Sequence, residues 1–256
     1  MPLPPLTILP LPLDADVVAG TDLAALIATQ LAGTAHPPLD RLVVVVAQKV
    51  VSKAEGRCVF LDEVSASPRA LELAAVTGKL PALVELVLQD STAIVRAAPG
   101  VLIARHRLGF VVANAGIDQS NVRSPDGRSV ALLLPLDPED SARRIRARLT
   151  PDGSAGPAVI VSDSFGRPWR KGVVNVALGS AGLPALIDWR GKPDRYGRQL
   201  QSTEVAFADA LAAAAGLVMG EAAESTPCVL IEGARWDAPE IGASRLVRPL
   251  SEDLFQ

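Results

Sequence analysis

Residues 41–47 read Arg-Leu-Val-Val-Val-Val-Ala, and this run constrains the fold more than any other part of the chain. Branching at Cβ stiffens χ1 and crowds a helical turn, so consecutive valines favour a pleated strand. Polar residues do not alternate with the apolar ones, so the strand is expected to be buried. A comparable run, Ala158-Val159-Ile160-Val161-Ser162, leads to Asp163-Ser164-Phe165-Gly166-Arg167-Pro168-Trp169-Arg170. A shorter one, Phe110-Val111-Val112-Ala113, leads into Asn114-Ala115-Gly116-Ile117-Asp118-Gln119-Ser120-Asn121-Val122. Two apolar strands are thus expected to end in short polar loops, the places where ligands and metals usually sit.

The remaining pattern is mixed. Residues 6–13 are apolar and proline-punctuated, which predicts an extended segment. Thr21 or Asp22 can cap a helix continued by Leu23, Leu26, Ile27 and Leu31 at helical spacing. Helices are expected over 68–77 and 81–90, broken by Gly78 and Pro81. Strands are expected at 101–105 and 110–113, then a turn at Pro125-Asp126-Gly127-Arg128 and a strand at 129–134. Asp137 to Leu149 reads as an amphipathic helix with acids first and arginines later, which suits the helix dipole. Residues 172–188 suggest sheet and turns, and Thr203 to Met219 an Ala-rich helix stopped by Gly220. Strands at 227–232 and 245–248 close the chain. Strands and helices interleave without a regular βαβ alternation, so the expected class is α+β, with mixed sheets and packed helices. At 256 residues the length suits one domain over 1–256, either a single large body or two tightly coupled lobes.

Composition and missing motifs exclude several functions. The chain holds 25 Lys and Arg against 28 Asp and Glu, and this slightly acidic balance without a basic stretch argues against nucleic-acid binding. No apolar run is long enough to cross a membrane, and Met1-Pro2-Leu3-Pro4-Pro5 has no basic start of a signal peptide. Cys58 and Cys228 lie far apart without zinc-like spacing, and both are expected to be small buried residues in a reducing, cytoplasmic setting. P-loop, Rossmann and nucleophile-elbow signatures are all absent, so any nucleotide site must use another architecture. His36 and His106 are the only histidines, and both are expected at the surface.

The candidate site rests on oxygen donors and cations. Asp118 and Asp163, with Ser164 beside the latter, would form an all-oxygen shell suited to magnesium or manganese. Glu221 follows the end of a predicted helix, where the dipole disfavours an acid, so a cation could explain it. Lys49 and Lys53 share a face whether their segment is helix or strand, and two like charges together call for an anion between them. Arg167, Arg170 and Lys171 around Trp169 suggest a clamp for phosphate or carboxylate, because guanidinium binds both through a bidentate fork.

Taken in order, these blocks resemble the coenzyme F420-0:L-glutamate ligases, GTP-dependent enzymes that add glutamate to a deazaflavin coenzyme precursor. The resemblance also takes in Gln48-Lys49-Val50-Val51-Ser52-Lys53, Leu217-Val218-Met219-Gly220-Glu221 and the tail Leu246-Val247-Arg248-Pro249 with Glu252-Asp253-Leu254-Phe255. It implies a dimer of intertwined subunits, a guanine nucleotide and two divalent cations, Mg2+ or Mn2+, with K+ as a further candidate ion. By position, Asp118 and Asp163 would ligate one metal, and Ser164 and Glu221 the second. Lys53 and Asn121 would contact the nucleotide, joined by Met219, Gly220, Glu221, Ala222, Ala223, Glu224, Ser225 and Thr226. Leu9-Pro10-Leu11-Pro12 aligns with the family's first nucleotide loop, and Gln48 with a nucleotide-contacting serine.

The implied reaction is phosphorylation of the acceptor carboxylate by GTP, then displacement of phosphate by the amine of L-glutamate. Lys53 would neutralise charge, and Arg167 and Arg170 would hold an anionic substrate group. The chain departs from the family at Leu11, where an acid is usual, at Gln48 and at Thr21, where the family usually has Asp. The chain's length leaves out the reductase-like C-terminal domain fused to some relatives. A folate- or pterin-like acceptor, or a nucleotide-binding relative without catalysis, are the alternatives.

Overall fold

A computed structural model describes residues 5–13, 16–122, 124, 126–150 and 156–253. Chain order runs β1 (Thr7–Leu11), α1 (Leu23–Ala32), β2 (Leu42–Ala47), α2 (Gln48–Ala54), β3 (Cys58–Phe60), α3 (Pro68–Thr77) and α4 (Pro81–Gln89). Next come β4 (Ser91–Ala98), β5 (Val101–His106), β6 (Val111–Ala113), β7 (Val130–Leu132) and α5 (Pro138–Leu149). The last elements are β8 (Ala158–Arg167), β9 (Arg170–Ala181), β10 (Leu186–Asp188), β11 (Glu204–Ala206), α6 (Phe207–Met219) and β12 (Cys228–Glu232). The class is α+β.

The valine run is the centre of a five-stranded sheet ordered β1-β12-β2-β8-β9. Val44, Val46, Val159 and Val161 face α1 and α5, packing on Ile27, Leu31, Ala142 and Ile145. Val43, Val45 and Ile160 face α6, packing on Leu211, Ala212 and Ala215. Two covered faces explain why β2 shows no polar alternation, and each fully buried side chain contributes about 1.5–3 kcal/mol. Only β2 and β8 run parallel, with Ala47 opposite Ser162, while every other pair in this sheet is antiparallel.

A second core lies where α3 and α4 cover the β4-β5-β6 sheet and the β3-β7 pair, through Leu73, Leu83, Val84, Val87, Leu102 and Ala131. Ser67 caps α3, with Pro68 at its first position and left-handed Gly78 at its end. Val112, Leu134, Phe165 and Leu178 tie this part to β8 and β9. Phe110 meets Phe165 edge-on, with ring centroids 5.9 Å apart.

Several expectations change. Asp163 and Ser164 lie inside β8, which continues to Arg167, rather than in a loop after a strand end. The register shifts of the β8-β9 pairing keep that strand paired past its apolar half. The 245–248 segment is not a strand, since Ala243–Leu246 forms a 3-10 turn. The helix expected from Thr203 starts at Phe207, because Glu204–Ala206 pairs with β10. β4, after α4, had no clear alternation to mark it. Pro125 of the expected turn, and Leu254 and Phe255 of the tail, lie outside the described residues. Cys58 is exposed and Cys228 buried, so only one thiol behaves as a core residue.

His106 is fully buried rather than at the surface. Its Nδ1 accepts the Leu108 backbone N–H at 3.0 Å, and its ring stacks on Phe110. Its Nε2 lies 3.9 Å from Asp90 Oδ2. Arg57 and Arg107 each reach the Asp90 carboxylate at 3.4 Å. Burial disfavours the ionised Asp90, but His106 and the two guanidinium groups outweigh it and hold the carboxyl below its usual range.

Removing one partner strands charges that are partly desolvated, so Asp90→Asn should lower unfolding free energy by about 2–4 kcal/mol in urea titrations at pH 7. A lowered folded-state pKa gives stability that is present above the unfolded value of about 3.9 and lost as pH falls through the folded value. The gap between parent and variant should therefore close below about pH 4.

Candidate active site

The parallel pairing of β2 and β8 brings two strand segments to the same edge of the sheet, and a cavity of about 1470 Å³ opens there. Its wall includes Gln48, Lys49 and Lys53 of α2, Ser162, Asp163 and Ser164 of β8, Asn175 of β9, and Asn121. The 219–227 segment forms another side, and Val17, Val18, Cys58, Phe60 and Val130 form an apolar end. A large concave site at the ends of sheet strands is the usual place for a small-molecule ligand.

Asp118 reaches this region through a strained turn. Asn114 and Ala115 have φ of 51° and 53°, followed by Gly116 at 75°. Three consecutive left-handed residues are rare, and each non-glycine one costs about 1–2 kcal/mol. Gly116 is required twice over: its φ is positive, and a Cβ there would lie 2.8 Å from Leu134 Cδ1. Leu132 then pins Asp118 by two backbone hydrogen bonds, of 3.1 and 2.8 Å. Asn121 and Ser225 are also left-handed, so strain gathers around the cavity.

The carboxylate of Asp118 is densely partnered. Oδ1 accepts the backbone N–H groups of Gln119 and Ser120 at 2.6 and 2.8 Å. Oδ2 accepts the Ser120 hydroxyl at 2.8 Å and lies 2.6 Å from the Lys49 ammonium. Burial opposes ionisation, but Lys49 and Ser120 more than offset it, leaving the carboxyl below its usual range. Asp163 is the opposite case. Its depth in the cavity, aggravated by the Asp118 charge, pushes it up to about 7 against the help of the Ser164 N–H, Lys49 and Gln48. Two carboxylates that differ in this way are typical of functional sites.

Lys53 donates to the Asn121 carbonyl at 2.8 Å, and Asn121 Nδ2 donates to the Ala222 carbonyl at 3.2 Å. Glu224 accepts the Ala222 N–H at 2.8 Å, which folds the 219–227 segment back on itself. Met219 Sδ, at the root of that segment, receives the Ser162 hydroxyl and the Asn175 amide at 3.9 Å each. Gly216 is obligatory here, since a Cβ would collide with Asn175 Oδ1.

Against known proteins, the chain matches the family model of the F420-0:gamma-glutamyl ligases over residues 14–233. The chain belongs to that family. It is 46% identical over 242 residues to the coenzyme F420:L-glutamate ligase of Methanothermobacter thermautotrophicus, covering 94% of each chain. It is 44% identical over 259 residues to the enzyme of that name from Methanopyrus kandleri, covering 99% of each. A relative of the same name from Halobacterium salinarum is 43% identical over 247 residues, covering 94% of this chain and 92% of its own.

Within this F420-0:gamma-glutamyl ligase fold, the residues singled out in the sequence separate into groups. Gln48, Lys49, Lys53, Asn121, Asp163, Ser164 and the 219–226 segment line one cavity. Lys49 bridges Asp118 to this set, and it meets the acid instead of waiting for an anion beside Lys53. Leu9 to Pro12 do not line the cavity: they belong to or follow β1, with Leu11 only 1% exposed, and Leu13 is the residue that reaches the wall. Arg167, Arg170 and Lys171 sit at the β8-β9 hairpin outside the cavity wall, with Trp169 80% exposed at its tip. Arg167 Nε is buried without a hydrogen-bond partner, as is Asn114 Oδ1. Glu221 is exposed.

The donor chemistry of Asp118, Asp163 and Ser164, oxygen throughout, would suit one hard divalent cation. Among the described residues, no three acidic, histidine or cysteine side chains converge into a ligand set. Sequence reasoning missed the apolar end of the cavity and Asn175. The Cys58-Val59-Phe60 alternation, with Val59 packed on the second core, was the available signal for the apolar end.

Gly116→Ala should destabilise the protein by about 1–3 kcal/mol, through the left-handed φ and the contact with Leu134. The same change should displace Asp118, so a lower urea midpoint together with weaker Mn2+ binding is the expected outcome.

Proposed function

We propose that this chain is a GTP-dependent amide ligase that adds L-glutamate to the deazaflavin precursor coenzyme F420-0, in coenzyme F420 biosynthesis. The observation that carries the reading is the placement of Asp163, Lys49 and Lys53 on one large cavity, with Asp118 joined to it through Lys49, in a chain that matches its named relatives over nearly its whole length.

In the first step an oxygen of the acceptor carboxylate forms a bond to the γ-phosphorus of GTP. The bond to the bridging oxygen breaks, and GDP leaves. In the second step the glutamate nitrogen bonds to the acyl carbon, inorganic phosphate leaves with the C–O bond pair, and the nitrogen gives up a proton. Phosphoryl transfer of this kind needs positioning and charge neutralisation more than covalent help from the protein. Divalent cations, Mg2+ or Mn2+, would neutralise the phosphate oxygens. Asp118 and Asp163 would hold one, and Ser164 and Glu221 the other.

The chain's own groups supply the rest. Lys53, directed by the Asn121 carbonyl, places a positive charge beside the 219–227 segment. That segment, with Gln48 and Asn121, would surround the nucleotide, whereas Leu9 to Pro12 would support it through Leu13. Arg167 and Arg170 would take an anionic group of a substrate arriving over the hairpin. The working form would be a cytoplasmic homodimer, with K+ as an accessory ion. No helix among the described residues is long and apolar enough to cross a membrane.

Purified protein given GTP, Mn2+, L-glutamate and coenzyme F420-0 should release phosphate and yield a product heavier by one or more glutamyl units, read by mass spectrometry. Asp118→Ala should lower the rate by about 10²–10³ or more. GTP binding without product would overturn the acceptor assignment and turn attention to folate- or pterin-like carboxylates.

A further inference from the structure

We propose that the apolar end of the cavity is the acceptor's subsite, where the deazaflavin ring of coenzyme F420-0 lies against Val17, Val18, Cys58, Phe60 and Val130. The proposal rests on the ligase reading above and says where its acceptor binds. Alternation along β3 puts Cys58 and Phe60 on one side of the strand, and Val130 of β7 stands directly opposite Phe60 on that side. Val59 and Ala131, on the other side, pack into the second core, so the face turned to the cavity is the one that carries Cys58, Phe60 and Val130. Val17 and Val18 border the same cavity, and Val18 is 63% exposed although apolar. The Phe60 ring is fixed from one side. The Arg128 guanidinium carbon lies 3.9 Å from its centroid, and Asp62 and Glu63 hold Arg128 at 2.8 and 2.6 Å. A ring anchored by a cation on one face presents its remaining face and edge to an incoming aromatic at little cost in side-chain freedom.

Size and chemistry choose the occupant. A cavity of about 1470 Å³ is larger than the roughly 300–1,000 Å³ that suits one small ligand, so it has room for nucleotide and acceptor together. Its polar part is connected: Lys53 donates to the Asn121 carbonyl and Asn121 to the Ala222 carbonyl, which ties that cation to the 219–227 segment read as the nucleotide's side. Lys53 stands in the last turn of α2, and a tight turn, with the Gly56 N–H on the Lys53 carbonyl at 3.0 Å, leads from it into β3 and the apolar face. The acceptor carries its carboxylate on an arm remote from the ring, so a ring held at this end can send the carboxylate toward the lysine and the γ-phosphate. Guanine fits this end poorly. Its ring is edged with hydrogen-bonding groups, whereas these five side chains hold no oxygen or nitrogen, and a buried donor or acceptor left unmatched is costly. A deazaflavin has a broad carbocyclic part that needs only apolar contact.

Cys58 is exposed and Cys228 is buried, so alkylation of Cys58 by N-ethylmaleimide, followed by mass spectrometry, reports what covers this wall. The full chain is alkylated in Mn2+ without glutamate in four states: free, with a non-hydrolysable GTP analogue, with coenzyme F420-0, and with both. Equilibrium dialysis of the same samples measures bound F420-0. At about ten times its dissociation constant, F420-0 should slow alkylation about 10-fold, in whichever state it binds, and the analogue by itself should leave the rate within about twofold. Protection by the analogue without F420-0 would make this the nucleobase wall and overturns the proposal. Bound F420-0 that leaves Cys58 reactive overturns it too, with the ligase reading intact. If F420-0 binds in no state, the ligase reading falls and the proposal with it. Phe60→Ala should raise the dissociation constant for F420-0 about 10-fold, and Val18→Gln, at an exposed position, about threefold. Parent-like F420-0 affinity in both overturns the proposal, and Val18→Gln alone decides if Phe60→Ala loses its cooperative thermal transition.

Discussion

The parallel pairing of β2 with β8 is the constraint on which the rest of this structure depends. Every other pairing in the main sheet is antiparallel, so this one pair alone sends two neighbouring strands to the same edge. With Ala47 opposite Ser162, the chain leaves β2 directly into α2 while β8 continues into Asp163. Gln48, Lys49 and Lys53 are thereby set against Asp163 and Ser164. An antiparallel pair would have put these groups at opposite ends of the sheet. The two covered faces of the pair keep the register, because a slip by one residue would exchange the side chains packed on α1 and α5 with those packed on α6.

Onto that edge the second core delivers Asp118. It does so through three left-handed residues and a two-bond clamp on Leu132, so the position of the carboxylate is set by backbone strain that packing elsewhere sustains. The two aspartates then differ in electrostatic state. Lys49 and Ser120 neutralise and hydrogen-bond Asp118, whereas Asp163 is held against burial and a neighbouring negative charge.

Much of this was legible in the chain and some was not, for physical reasons that differ by residue. The valine run, the capped helices and the polar stretches after apolar strands are local signals, and they placed Asp118, Asp163 and Asn121 among the residues to watch, with Lys53 marked by its spacing from Lys49 and the 219–226 segment only by the family resemblance. The environment of each was not local. His106, between two arginines, looked like a surface residue, yet Asp90 and Phe110 enclose it from other elements. Asp163 looked like a loop residue because polarity marked the end of a strand, but hydrogen bonding to β9 carries β8 past it. Gln48 and Ser52 stood in view at helical spacing, and nothing in their order said that both would be buried.

By itself the sequence determined the element types, the strands that must be buried, the absence of P-loop and Rossmann motifs, and the blocks that mark the ligase family. The element types and buried strands follow from side-chain branching, periodicity and turn chemistry, which act over a few residues, whereas the family blocks are a matter of resemblance. Tertiary structure alone decided which charges meet: Lys49 with Asp118 across 69 positions of chain, and Asp90 with Arg57 and Arg107. Those contacts depend on the direction of one strand pair and on the depth of burial it creates. Neither is encoded in any short window of the chain, because both arise only when distant segments pack.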